Sequence, residues 1–129
     1  MIQALNQEID MKRSVSVAVL VLLLPMKAWA GSCGYTYCWG SVGIGPNGVW
    51  GFSHSYATED AAIDRVASEC PYCTAFETFY NTCGAIAVGN HGDYGFGWGD
   101  SRAIAENQAM GYCRSTTNNC AIQVWACSK

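Results

Sequence analysis

Two apolar rhythms alternate along residues 39–127, and their succession occurs twice. The stretches 42–45 and 86–89 are short β-prone runs, each leading into a turn sequence, Pro46-Asn47-Gly48 or Asn90-His91-Gly92. Gly and Asn tolerate the positive φ that hairpin turns demand. Beyond each turn the period is two. Trp50, Phe52 and His54 alternate with Gly51, Ser53 and Ser55, and Tyr94, Phe96 and Trp98 alternate with Gly95, Gly97 and Gly99. The period then becomes helical over 59–69, with Ala62, Val66 and Ala67, and over 102–110, with Ile104, Ala105, Ala109 and Met110. Thr58 and Ser101 stand as N-caps before these runs. A third β-prone run, 74–80 or 121–126, closes each copy.

The two copies are one unit written twice. At an offset of 44, Gly40, Gly45, Gly48, Gly51 and Phe52 match Gly84, Gly89, Gly92, Gly95 and Phe96, five identities in the fourteen positions 39–52. The helices match at an offset of 43, which aligns Cys70 with Cys113. The predicted fold is therefore α+β: two ββαβ repeats (about 39–82 and 83–127) forming a mostly antiparallel sheet of about six strands, with two helices on one face.

The faces of the hairpins depend on loop parity. For an even-length loop, Trp39, Trp50, Phe52 and His54 share one face, and Val42, Ile44, Val49 and Gly51 share the other. Two packings follow. In one, the aromatics are the core beneath the helices. In the other, the alanine-rich helices lie on the glycine and aliphatic face and leave an aromatic surface for a partner.

Residues 11–30 read as an export signal. Lys12 and Arg13 precede the apolar run 15–24, Pro25 breaks it, and Ala28-Trp29-Ala30 has the small-x-small pattern of a cleavage site. The first ten residues read as an upstream start, and the run is too short for a permanent membrane span. Lipidation of Cys33 is disfavoured, because Ala30 stands where a large aliphatic residue is usual. The expected organisation is a removed leader over 1–30 and one domain over 31–129, located in the periplasm. Of 7 basic side chains three precede residue 31, and of 10 acidic ones two do; four and eight remain, a net charge of −4. That balance argues against nucleic acid or an anionic membrane as partner, both of which call for basic patches.

All eight cysteines follow residue 30, and an even count in a short exported chain reads as a disulfide framework rather than a metal site. Many connectivities are open. Repeat symmetry indicates Cys83–Cys127, which would join the two copies, Cys113–Cys120 and Cys70–Cys73 as matching local closures, and Cys33–Cys38. Cys70-Pro71-Tyr72-Cys73 has the form of a dithiol redox motif, but it follows a helix instead of preceding one. The helix N-terminus that activates such a thiol is therefore missing. No metal or cofactor is expected.

Gly84-Ala-Ile-Ala-Val-Gly89 and Tyr94-Gly-Phe-Gly-Trp-Gly99, set in a hairpin–helix–strand unit, resemble an exported bacterial family, domain-of-unknown-function family 4189. The resemblance runs from about Trp39 to Ser128. Cys33 and Cys38 are additions to the family pattern. The family has no agreed catalytic residues, so none is carried over. Some members resemble periplasmic immunity proteins that neutralise effectors of type IV secretion systems of the xanthomonad group. The resemblance thus points to a non-enzymatic binder of a cognate antibacterial effector, and the chain on its own is expected to be a monomer. Its candidate contact residues are Trp50, Phe52, His54, His91, Asp93, Tyr94 and Trp98. The alternative is a small secreted glycan-binding module or enzyme of the cell wall, with Trp50, Tyr94 and Trp98 as stacking platforms. His54 and His91, the only histidines, have no nucleophile with an orienting carboxylate at a telling spacing. Asp93, Asp100, Glu59 and Asp60 fall near hairpin tips and helix starts, where carboxylates are ordinary.

Overall fold

A computed structural model describes residues 31–129, so the leader and its cleavage lie outside the described residues. The order of elements is β1 (Trp39–Ile44), β2 (Trp50–Tyr56), α1 (Glu59–Glu69), β3 (Ala75–Tyr80), β4 (Thr82–Val88), β5 (Tyr94–Gly99), α2 (Arg102–Thr116) and β6 (Ala121–Ser128). Two ββαβ units are present, with six antiparallel strands, two helices and four disulfides, as the repeat pattern predicts. The second helix runs six residues beyond the alanine-rich stretch, to Thr116. Both N-caps form: Thr58 Oγ1 accepts from the Ala61 amide and Ser101 Oγ from the Ile104 amide, each at 3.2 Å.

The strands do not make one sheet. They divide into β2-β1-β3 and β5-β4-β6, all neighbours antiparallel. A single residue, Asn81, separates β3 of the first sheet from β4 of the second. It takes a left-handed turn (φ 54°) that an asparagine tolerates. The chain therefore folds back across the gap between sheets instead of adding β4 beside β3.

Loop parity decides what fills that gap. Each hairpin connection, 45–49 or 89–93, has five residues, so Ile44 pairs with Trp50 and Val42 with Phe52, while Val88 pairs with Tyr94 and Ile86 with Phe96. The even-loop assignment is thereby corrected. Val42 and Ile44 share their face with Trp50 and Phe52, not with Gly51. In both turns the middle residue, Asn47 or His91, is left-handed (φ 61° and 63°), and the glycine after it is too.

The result is four layers: helix, sheet, sheet, helix. Between the sheets Val42, Ile44, Phe79, Ile86, Val124 and Ala126 form one core, with Ala75, Val88, Tyr94 and Phe96 against it. Val42 and Ile86 are fully buried, and each such side chain contributes about 1.5–3 kcal/mol. Room for Phe79 depends on two glycines, since a methyl group on Gly40 or Gly84 would come within 2.7 or 2.4 Å of its ring.

Each helix lies on the outer, small-residue face of its own sheet. Val66 of α1 covers Gly43 and Gly51, and Ser53 Oγ donates to the Ala62 carbonyl at 2.7 Å. On the other side Ala105, Ala109 and Cys113 of α2 bury Cys83, Ala85 and Ala87 in a second core. Gly95, Gly97 and Gly99 let α2 approach β5. The helices thus take the glycine face, as in the second of the two packings, but the aliphatic residues Val42, Ile44 and Ile86 lie with the aromatics on the opposite face, in the core between the sheets.

The bridges join Cys33 to Cys38, Cys70 to Cys73, Cys83 to Cys127 and Cys113 to Cys120, the partners that repeat symmetry indicates. One expectation about them changes. Cys83 lies in β4, directly opposite Cys127 of β6, so this bridge closes the second sheet and does not join the two copies. Cys70 and Cys73 are both buried, in keeping with a structural clamp at the end of α1. Four disulfides fit an oxidising compartment, extracellular or periplasmic. Among the described residues no helix is long and apolar enough to cross a membrane.

Candidate functional site

The inward aromatics of β2 and β5 belong to edge strands, so each is only partly covered by the opposing sheet. On β2 the rings of Trp50, Phe52 and His54 form a ladder. Centroids are 6.3 Å apart for Trp50 and Phe52 and 6.5 Å for Phe52 and His54, with interplanar angles of 19° and 11°. Strict alternation along the strand produces this, because side chains two residues apart project from the same face. Trp50 remains 51% exposed and Phe52 41%. The ladder forms one wall of a groove of about 490 Å³, with residues 123–127 of β6 as the other wall.

A second groove, of about 740 Å³, lies between the units on the other flank. The first unit contributes Trp39, Glu59, Thr78, Phe79 and Tyr80; the second contributes Thr82, Phe96, Trp98, Gly99, Asp100 and Ile104. Phe96 and Trp98 are stacked at 6.0 Å and 24°. Trp39 packs on Tyr80 at 4.9 Å, and Tyr37 meets Tyr80 edge-on at 5.1 Å.

A third groove, of about 720 Å³, opens where the two hairpin turns approach each other. Pro46, Asn47 and Gly48 of one turn and His91 and Gly92 of the other line it, together with Tyr94 and Gln123. Gln123 Nε2 donates to the Gly48 carbonyl at 2.8 Å, which ties β6 to the first turn. Tyr94 Oη donates to Glu77 Oε1 at 3.1 Å and so links the edge strands of the two sheets. Partial burial, and secondly the charge and hydrogen bond of Glu77, push the Tyr94 hydroxyl pKa above its ordinary value.

The seven candidate contact residues are thus distributed over the surface. Trp50, Phe52 and His54 share the first groove, Trp98 lies in the second, and His91 and Tyr94 in the third. Asp93 is exposed at the end of the second turn, where its amide donates to the Asn90 carbonyl and its carbonyl accepts from Gly89. The sequence reading omitted Tyr37, Tyr80 and Trp125 from the contact residues. Tyr80 had only a weak signal, as an aromatic at the end of a β-prone run; its pairing with Trp39 emerges only in the sheet. Trp125 did not: it is capped by Arg102 of α2, whose guanidinium stands 4.1 Å from the ring centroid.

For acid–base chemistry the closest pair is His54 Nδ1 and Ser55 Oγ, 2.9 Å apart, with Ser55 in a left-handed conformation (φ 67°). Its main chain is held by Ser128, whose hydroxyl accepts from the Ser55 amide at 2.9 Å. Among the described residues no carboxylate hydrogen-bonds to His54, and no three His, Cys, Asp or Glu side chains gather to hold a metal ion. What the surface offers instead is flat aromatic area on a cross-linked frame.

Comparison with curated proteins and with solved structures returns no match. Residues 39–127, spanning both units from the start of β1 to the second cysteine of the β4–β6 bridge, match the sequence model of DUF4189, a domain of unknown function, and the chain belongs to that family.

Proposed function

We propose that this chain is a periplasmic immunity protein that binds and neutralises an antibacterial effector directed at the envelope, of the type delivered by type IV secretion systems. In this reading it acts by occupation rather than by chemistry. The observation that carries the reading is the Trp50-Phe52-His54 ladder, a row of aromatic rings left half-exposed along a rigid edge strand. Tryptophan and other large aromatics on pre-organised frames are the residues on which protein interfaces concentrate their affinity. The four disulfides and the acidic balance of residues 31–129 support it, since charge of one sign speeds the encounter with a basic partner.

The deciding experiment is co-expression of this chain in a bacterial periplasm with the product of the neighbouring gene. Survival together with a co-purified complex is the expected result. Death despite a folded, oxidised protein sinks that pairing. A second reading is favoured by the near-parallel rings of Trp50 and Phe52, which offer the flat platforms on which sugar rings stack. In that case the protein is a cell-wall glycan-binding module, and retention on purified peptidoglycan, lost in Trp50→Ala, is the sign.

A further inference from the structure

We infer that the groove bounded by Trp39, Tyr80, Phe96 and Trp98 receives an arginine or lysine side chain from a basic segment of the protein partner, an inference that rests on the binding reading above. Its rings are available: Tyr80 is 49% and Trp98 52% exposed. Aromatic faces carry the negative part of the ring quadrupole, so a cavity walled by several of them attracts a cation. Two carboxylates, Glu59 at the start of α1 and Asp100 just before α2, line the same groove, and none of its lining residues is basic.

The basic side chains nearby are engaged elsewhere. Arg65 pairs with Glu69 and Arg102 with Glu106 along their own helices. Lys129 Nζ donates to the main-chain carbonyl of Asp100. Its ammonium offsets part of the local charge and leaves two carboxylates against one cation. Among the described residues neither the Glu59 nor the Asp100 carboxylate takes part in an ion pair. A guanidinium stacks on an indole and also presents a planar fork to carboxylates, so arginine suits the groove best. The β2–β6 groove has aromatics too, but no carboxylate lines it. The two flanks therefore select differently: an apolar anchor on one, a cationic anchor on the other.

The test uses the full chain expressed for export and recovered oxidised from a bacterial periplasm. N-acetylarginine methylamide is titrated while the Trp98 indole N–H resonance is followed, with N-acetylnorleucine methylamide as the neutral control. The expected result is a saturable, salt-weakened shift with arginine, tighter than the neutral probe by roughly fivefold. In Glu59→Gln/Asp100→Asn that preference disappears while the near-ultraviolet circular dichroism is unchanged. Equal affinity for both probes, or no saturable shift, overturns the inference. No effector enters this titration. Protection in co-expression with an arginine-indifferent groove removes only the present inference, whereas arginine binding without protection removes only the immunity reading.

Discussion

The backbone of Gly97 lies so close to that of Ala109 that a methyl group on Gly97 would come within 2.3 Å of the Ala109 nitrogen and 2.4 Å of the Ala105 carbonyl. Those atoms are helix backbone, which cannot swing aside. Gly97→Ala should therefore cost about 3 kcal/mol, as the strain of over-packing. Gly111, within α2 itself and with open space around it, should respond the other way. Gly111→Ala is expected to raise stability by about 0.5–1 kcal/mol through helix propensity. Chemical denaturation of the two variants checks both signs.

Phe79 and Gly84 should be coupled. The Phe79 ring occupies the space that a Gly84 side chain would need. Phe79→Ala is expected to lose about 3–5 kcal/mol. Gly84→Ala should be severe in the native background and much milder once Phe79 is alanine. A double-mutant cycle that came out additive would contradict the packing described for the inter-sheet core.

The bridges should differ in worth. Cys83–Cys127 closes a sequence separation of 44, Cys70–Cys73 one of 3. On the chain-entropy scale, replacing the first pair by alanine costs about 4 kcal/mol and the second about 1–2 kcal/mol. Urea midpoints of the two double variants, both oxidised at their remaining cysteines, provide the comparison.

Stability should fall at high pH through Tyr94. Its hydroxyl pKa is raised in the folded protein, so the native state holds the proton more tightly than the unfolded chain does. The contribution is complete below the ordinary value of 10.0 and is lost as the pH climbs from there through the raised native value. Tyr94→Phe should flatten that decline and cost about 1 kcal/mol at neutral pH for the lost bond to Glu77. Unfolding curves of both proteins from about pH 9, before the loss begins, to about pH 12 would show it.

Binding and folding should separate on the β2 ladder. Trp50 is half-exposed, so Trp50→Ala should change stability by less than about 1 kcal/mol. If the ladder is the contact surface, the same change should weaken capture of the cognate effector by roughly 30-fold or more, the loss typical of an interface hot spot. Calorimetric titration against the co-purified partner measures it.

Much of this architecture was legible in residue spacing. Thr58 and Ser101 announce the helices, but Gly95, Gly97 and Gly99 left open whether a helix covers the glycine face or the aromatic one. The cysteine partners follow from matching the two copies. Loop parity was not legible. The turn residues signal a reversal, but whether four or five residues make it depends on left-handed backbone at Asn47 and His91, which the composition permits without requiring. The division into two sheets turned on one residue, Asn81, that looks like any other turn asparagine. The aromatic stripes were visible as stripes. The grooves were not, because each has walls from both units or from distant strands, as when Trp98 of β5 faces Tyr80 of β3.

Asn81 is held from several directions: its amide donates to the Cys38 carbonyl, its Oδ1 accepts from the Cys38 amide, and its Nδ2 donates to the Thr36 carbonyl. No disulfide joins the halves, so this clasp fixes the turn between them, while the inter-sheet core and the bonds Gln123–Gly48, Tyr94–Glu77 and Ser55–Ser128 hold them together. A residue that favoured extended backbone at position 81 would let β3 run straight on toward β4. The halves of two molecules would then exchange partners. Such a swapped pair would rebuild every groove twice on one particle, so a change at one residue outside the β2 ladder would turn a single-handed binder into a two-handed one.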